Sequence, residues 1–178
     1  MALVGPWGTF YHIPKCGGMS LRYFLKNHYH MQGVEVGNQH SLPPRDSDLT
    51  NGWTVVRHPA EWLLSYYSYC DAREWVWNER PQELRELTDY AAGMFWPMWV
   101  NEVTTRTPGL VGQAFGLYCL PGIKVYRMEE MDSIYGEHIH AKNEQEIKPV
   151  MTRVQWDMIC ETEKDTLERY GYDNTWQR

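Results

Sequence analysis

The chain has 178 residues, with 23 acidic against 17 basic side chains and a formal net charge of −6. That length suits one domain, residues 1–178, with a real hydrophobic core, and the acidic balance speaks against a nucleic-acid surface or a polybasic membrane face. No apolar run reaches transmembrane length, the N-terminus lacks the basic-then-apolar build of a signal peptide, and four scattered cysteines without a C-x-x-C pair suggest reduced thiols rather than zinc or a disulfide framework.

The first predicted unit runs from an apolar strand through a tight turn into a helix. Thr9 to Ile13 is a short β-prone run that Pro14 stops, and Gly17 with Gly18 provide the backbone freedom for a turn. A helix is expected from Ser20, because Leu21, Phe24, Leu25 and His28 recur at i, i+3, i+4 and i+7. Its N-terminus, with unpaired N–H groups and the positive end of the dipole, makes the turn an anion cradle. The segment is not a Walker A loop: Lys15 precedes the glycines, and no Gly-Lys-Ser/Thr occurs anywhere in the chain. A phosphotransferase on a related loop would need magnesium and a triphosphate, and no strand ends in the Asp expected to hold that metal.

Val34 to Val36 reads as a short strand, and the polar piece from Gly37 to Gly52 as a connection. Trp53 to Val56 is a second buried strand ending in Arg57-His58-Pro59, with a helix expected over Ala60 to Tyr69 and Pro59 in its first turn. Helices are predicted near Pro81 to Ala92, Phe95 to Thr104 and Leu110 to Leu120. Trp96, Trp99, Val100 and Val103 fall at helical spacing and read as core, whereas Trp75 and Trp77 are candidates to line a ligand cleft. Ile123 to Tyr126 reads as a third strand and Met151 to Tyr170 as helical. Strands alternating with helices imply an α/β fold, a parallel β-sheet flanked by helices, with ligands at the carboxyl ends of the strands.

With Lys ahead of the glycines, His12-Ile13-Pro14-Lys15-Cys16-Gly17-Gly18-Met19-Ser20 resembles the 5′-phosphosulfate loop of sulfotransferases that use 3′-phosphoadenosine 5′-phosphosulfate (PAPS). The likeness is strongest to carbohydrate sulfotransferases, which carry His-Ile-Pro-Lys-Thr-Gly-Gly-Thr-Ser. Cys16 and Met19 stand where that pattern has Thr, so phosphate binding here leans on backbone N–H groups, Lys15 and Ser20. In the same family a strand ending in Val-Arg-Asp/Asn-Pro leads into a helix bearing a Ser, and that Arg and Ser grip the 3′-phosphate. Arg57 and Ser65 lie eight residues apart, the family spacing, with His58 in place of the Asp or Asn. Arg127 to Met131 resembles the family's Arg-Tyr-Glu-Asp-Leu element, with Glu129 read as structural, and Tyr170-Gly171-Tyr172 resembles its closing Tyr-Gly-Tyr.

The resemblance implies a P-loop-like sulfotransferase fold and a nucleotide site formed by Lys15, Cys16, Gly17, Gly18, Met19, Ser20, Arg57 and Ser65. A basic or Asn-bearing loop closes over the nucleotide in the family, and Asn143 is the candidate here, against the plainer reading of a solvated charged loop. Sulfuryl transfer needs a group to stabilise the departing phosphate, a role that suits Lys15, and a base for the acceptor hydroxyl. His40 is the candidate base: family members carry a His in the equivalent connection, and an unperturbed imidazole titrates near neutrality. An exposed loop histidine is the competing reading, and His12 reads as loop-shaping. No metal is expected. The implied function is transfer of a sulfuryl group from PAPS to an alcohol, a carbohydrate hydroxyl foremost, leaving 3′-phosphoadenosine 5′-phosphate (PAP). The partner would be a small-molecule or glycan acceptor, with no nucleic acid and no membrane. A non-catalytic module that senses 3′-phosphoadenosine nucleotides is the alternative. Golgi members of the family are membrane-anchored; with Met1 close to the first strand, a cytoplasmic protein of bacterial or viral origin is expected here.

Overall fold

The computed structural model describes residues 2–28, 33–37, 40–71, 82, 86, 93–131 and 149–176. The chain divides into two compact units, Met1–Arg57 with Phe115–Asn143, and His58–Ala114 with Glu144–Arg178. The fold is α/β. The expected helix at 81–92 falls almost wholly outside the described residues, as do Trp75 and Trp77.

The first unit is built on a five-stranded sheet: β1 (Ala2–Gly5), β2 (Gly8–Tyr11), β3 (Val34–Val36), β4 (Gly52–Val56) and β5 (Lys124–Arg127), in the order β3-β1-β2-β4-β5. Strands β2, β4 and β5 run parallel, but β1 is antiparallel to both β2 and β3. The sheet is therefore mixed, which corrects the expectation of a parallel one. The cause is local. Gly5 pairs with Gly8 across a two-residue turn, Pro6-Trp7, and so short a loop joins only antiparallel neighbours. Pro6 presets the first turn position, and Gly8 has a φ of 94° where a Cβ would meet the Asn51 carbonyl oxygen at 2.3 Å.

Helix α1 (Gly18–His28) starts two residues earlier than the hydrophobic spacing suggests and lays Leu21 and Leu25 on the sheet. These join Leu3, Phe10, Trp53, Val55 and Met131 in one apolar core, with Phe10 and Trp53 rings 4.6 Å apart. Burial of each such side chain contributes about 1.5–3 kcal/mol. On the same side of the edge strand, Glu35 is drawn to Arg22 and Lys26 of α1. Thr54, in the middle of the sheet, donates its hydroxyl to the Tyr11 carbonyl at 2.7 Å.

The second unit is helical: α2 (Pro59–Asp71), α3 (Trp96–Arg106), the N-terminal part of α4 (Leu110–Gly116), α5 (Arg153–Thr162) and α6 (Lys164–Tyr170). Trp96, Trp99, Val100 and Val103 are buried on α3, and α5 packs against both α2 and α3. Helix α4 stops at Gly116, short of the expected Leu120.

The expected continuous helix over 151–170 is broken at Glu163, whose buried carboxylate accepts the Val111 and Gly112 N–H groups at 2.8 and 3.1 Å and the Thr166 hydroxyl at 2.8 Å. The side chain thus caps the first turn of α4, satisfying donors that the helix cannot satisfy itself. No described helix is long and apolar enough to cross a membrane.

Candidate functional site

The site is built where three parallel strands end. Strand β2 leads into the 12–17 turn, β4 ends at Val56 immediately before Arg57, and β5 ends at Arg127, opposite Val56 in the register. Ligands in open α/β sheets bind at these carboxyl ends.

Within the turn the backbone alternates in handedness. Lys15 has a φ of 65°, the one described non-glycine residue at positive φ, and Gly17 has 71°, while Cys16 and Gly18 between and after them stay at negative φ. Alternation of this kind is the backbone pattern of anion-binding concavities, although the Cys16 N–H is itself taken by the Ile13 carbonyl at 3.4 Å, which leaves the cradle to the N–H groups at the start of α1. A left-handed lysine is strained by about 1–2 kcal/mol, and such strain concentrates at functional turns. Helix α1 follows directly, its ladder beginning with the Leu21 N–H on the Gly17 carbonyl at 3.1 Å. The N–H groups of Gly18, Met19 and Ser20 thus lie ahead of that ladder, at the positive end of the helix.

The two glycines serve different ends. Gly17 is exposed and supplies the left-handed backbone, with Met128 beside it: a Cβ would lie 3.0 Å from the sulfur. Gly18 is buried and is demanded by a neighbour. A Cβ there would lie 1.8 Å from His12 Cδ2 and 2.0 Å from Nε2. The His12 ring, 3% exposed, therefore fills the space that a side chain at 18 would take, and sets the start of α1.

Arg57 reaches the same turn. Its backbone N–H is directed at the Cys16 sulfur, and its guanidinium acts on that group electrostatically. Burial nonetheless pushes the Cys16 thiol well above its ordinary range, against the pull of Arg57, so the group is a neutral thiol packed beneath the turn. Met19 is 62% exposed and Ser20 half-buried on the first turn of α1. After β5, Met128–Glu130 forms a 3₁₀ turn closed on itself: Arg127 Nε donates to Glu130 at 2.8 Å, and the Glu130 carboxylate accepts the Arg127 N–H at 3.3 Å. Glu129 lies within electrostatic reach of Cys16.

His40 is brought to the same unit but is not an exposed loop residue. It is 9% exposed, its ring centroid is 4.6 Å from that of His12, and its Nδ1 lies 3.3 Å from the His12 carbonyl oxygen. A carbonyl only accepts, so the imidazole proton sits on Nδ1 and Nε2 keeps its lone pair. Burial lowers the His40 pKa to about 4, with Arg22 and Lys15 adding to the effect and the His12 hydrogen bond opposing it. His12 is lowered well below the ordinary histidine range by burial first, then by His40, Arg22 and Lys15. Its Nδ1 is buried with no hydrogen-bond partner among the described residues. The Tyr118 hydroxyl, from the segment after α4, donates to the His40 carbonyl at 2.8 Å.

Ser65 belongs to the second unit, on α2, and is 4% exposed. In that unit His58 stands immediately before α2. Its Nδ1 accepts the Ala60 N–H at 3.3 Å, capping α2, and Nε2 therefore carries the proton and donates to the Asp173 carbonyl at 3.0 Å. The ring stacks on Trp156 with centroids 4.5 Å apart, and Tyr172 meets it edge-on. Gly171, at φ 70°, ends α6 and returns the chain towards this cap. Asn143, with His138 and His140, lies outside the described residues.

Lys15, Cys16, Gly17, Gly18, Met19, Ser20, Arg57 and His40 thus belong to one unit. Sequence reasoning missed Tyr118, which no motif marks, and the space-filling role of the His12 ring. No family model, curated protein or solved structure matches the chain.

Proposed function

We propose that this protein transfers a sulfuryl group from PAPS to an alcohol, with a carbohydrate hydroxyl the expected acceptor. The observation that carries the reading is the grouping of Lys15, the alternating turn at a helix N-terminus and Arg57 at the carboxyl ends of neighbouring parallel strands. Two cations and a backbone anion cradle in one cluster suit a ligand with separate 5′ and 3′ phosphate groups. PAPS would supply the sulfuryl group. Lys15 would stabilise the negative charge that builds on the bridging oxygen as the S–O bond breaks, and Arg57 would take the 3′-phosphate through its planar fork. His40, neutral at physiological pH, would accept the acceptor's hydroxyl proton on Nε2 as the new O–S bond forms. Cys16 contributes backbone and packing rather than a hydroxyl, so the cradle relies on N–H groups, Lys15 and Ser20.

A second reading, a sensor of 3′-phosphoadenosine nucleotides, is favoured by the burial of His40, which limits access to the base. Thermal shift decides the ligand class: PAP raises the melting temperature without magnesium, and ATP does so much less. Equal stabilisation by ATP overturns both readings. Incubation with labelled PAPS and a panel of glycans, alcohols and peptides then separates enzyme from sensor, since a sensor binds PAP tightly yet sulfates none of them.

A further inference from the structure

We infer that Tyr118 is a positioning residue for His40: its hydroxyl anchors the residue-40 carbonyl, and so holds the imidazole with Nδ1–H on the His12 carbonyl and Nε2 left as the proton-accepting nitrogen. The inference rests on the reading of His40 as the base of the transfer. Residue 40 is held at both ends. The Tyr118 hydroxyl binds its backbone at 2.8 Å, and the His12 carbonyl takes its ring proton at 3.3 Å. Tyr118 is itself fully buried and fixed by the turn after α4, where its N–H and that of Cys119 both reach the Phe115 carbonyl at 2.9 and 2.8 Å. A phenol locked in that way places its oxygen with little freedom, and a buried carbonyl that loses its donor must move to find another.

The surroundings select the tautomer. The ring of His12 lies against one side of the imidazole, and the cations within electrostatic reach, Lys15 from the turn and Arg22 from α1, both favour its neutral form. A neutral imidazole with Nδ1 committed to a carbonyl has one basic nitrogen, Nε2. This is the arrangement that a histidine base requires, and the second group that holds it is separated from it by 78 residues in sequence.

Long-range proton–nitrogen spectra of the histidine side chains in the full chain test the assignment, with His40 identified by His40→Gln. The parent shows the Nδ1-protonated tautomer at neutral pH. In Tyr118→Phe that signature gives way to a mixed tautomer, and the titration of His40 moves up by at least one pH unit towards the ordinary histidine range. An Nε2-protonated tautomer in the parent overturns the inference, as does a Tyr118→Phe protein whose His40 keeps both tautomer and titration. If Tyr118→Phe does not fold, the tautomer of the parent alone decides. Once an acceptor is known, Tyr118→Phe lowers kcat about tenfold with the KM for PAPS unchanged. A parent that transfers nothing, yet shows the tautomer and its loss in Tyr118→Phe, refutes the transfer reading and leaves the positioning role in place.

Discussion

Gly18→Ala separates an argument from helix propensity from one based on tertiary contact, because the two differ in sign. On propensity alone, alanine at the start of α1 should stabilise the helix by about 0.5–1 kcal/mol. The structure opposes this: the new Cβ would lie 1.8 Å from His12 Cδ2, where carbon atoms ordinarily rest about 3.5–4.0 Å apart. Neither partner has room to yield. The His12 ring is buried and backed by the His40 ring at 4.6 Å, and Gly18 is held between the turn and the helix. Overpacking of this kind costs about 3 kcal/mol, so the net destabilisation should be about 2 kcal/mol. His12→Ala alone leaves a cavity and should cost about 2–4 kcal/mol. Combined with Gly18→Ala it removes the clash, so the double variant should be about 2 kcal/mol more stable than the sum of the single losses. Urea unfolding measures all three, provided the slope is unchanged and only the midpoint moves. A Gly18→Ala protein as stable as the parent, or strictly additive losses, would refute the packing argument.

Stability should also fall as pH drops from about 6.5 towards 4. Burial lowers the folded-state pKa of His40 to about 4, whereas the unfolded imidazole titrates near 6.5, so in that window the unfolded chain binds a proton that the native state refuses. The His40 contribution lost at pH 5 is about 2 kcal/mol; a urea midpoint in His40→Gln as pH-sensitive as in the parent would remove His40 as its source. At the strained turn, Lys15→Gly should be about 1 kcal/mol more stable than Lys15→Ala, because only glycine adopts a φ of 65° at no steric cost. Equal unfolding midpoints for those two variants would count against strain at Lys15. Arg57→Ala should weaken PAP binding by about 1.5–3 kcal/mol by isothermal titration, the ordinary worth of a charge-assisted hydrogen bond, and an unchanged affinity would take Arg57 out of the site.

Much of the local structure was legible in the amino-acid sequence because its signals act over a few residues. The apolar spacing of Leu21, Phe24 and Leu25 marked α1, the β-branched run before Arg57 marked β4, and Pro59 marked the start of α2. The candidate turn was equally readable, since Pro14, Lys15 and the two glycines are contiguous.

Tertiary structure decided what depends on contacts between distant residues. Strand β1 was not read from the sequence, and only its pairing with β2 and β3 makes the sheet mixed. The break at Glu163 carries no glycine or proline to announce it, and arises because a carboxylate there caps α4 some fifty residues earlier. Gly18 looked like a turn glycine, yet the ring of His12 demands it, and the capping of α2 by the Nδ1 of His58 was not foreseen. The sequence by itself determined most of the elements and the residue types of the turn, because backbone propensity and side-chain period are local properties. The protonation state and orientation of His40, and the choice of Tyr118 to hold it, were decided only in the folded chain, where burial and hydrogen bonds join residues that sequence spacing cannot relate.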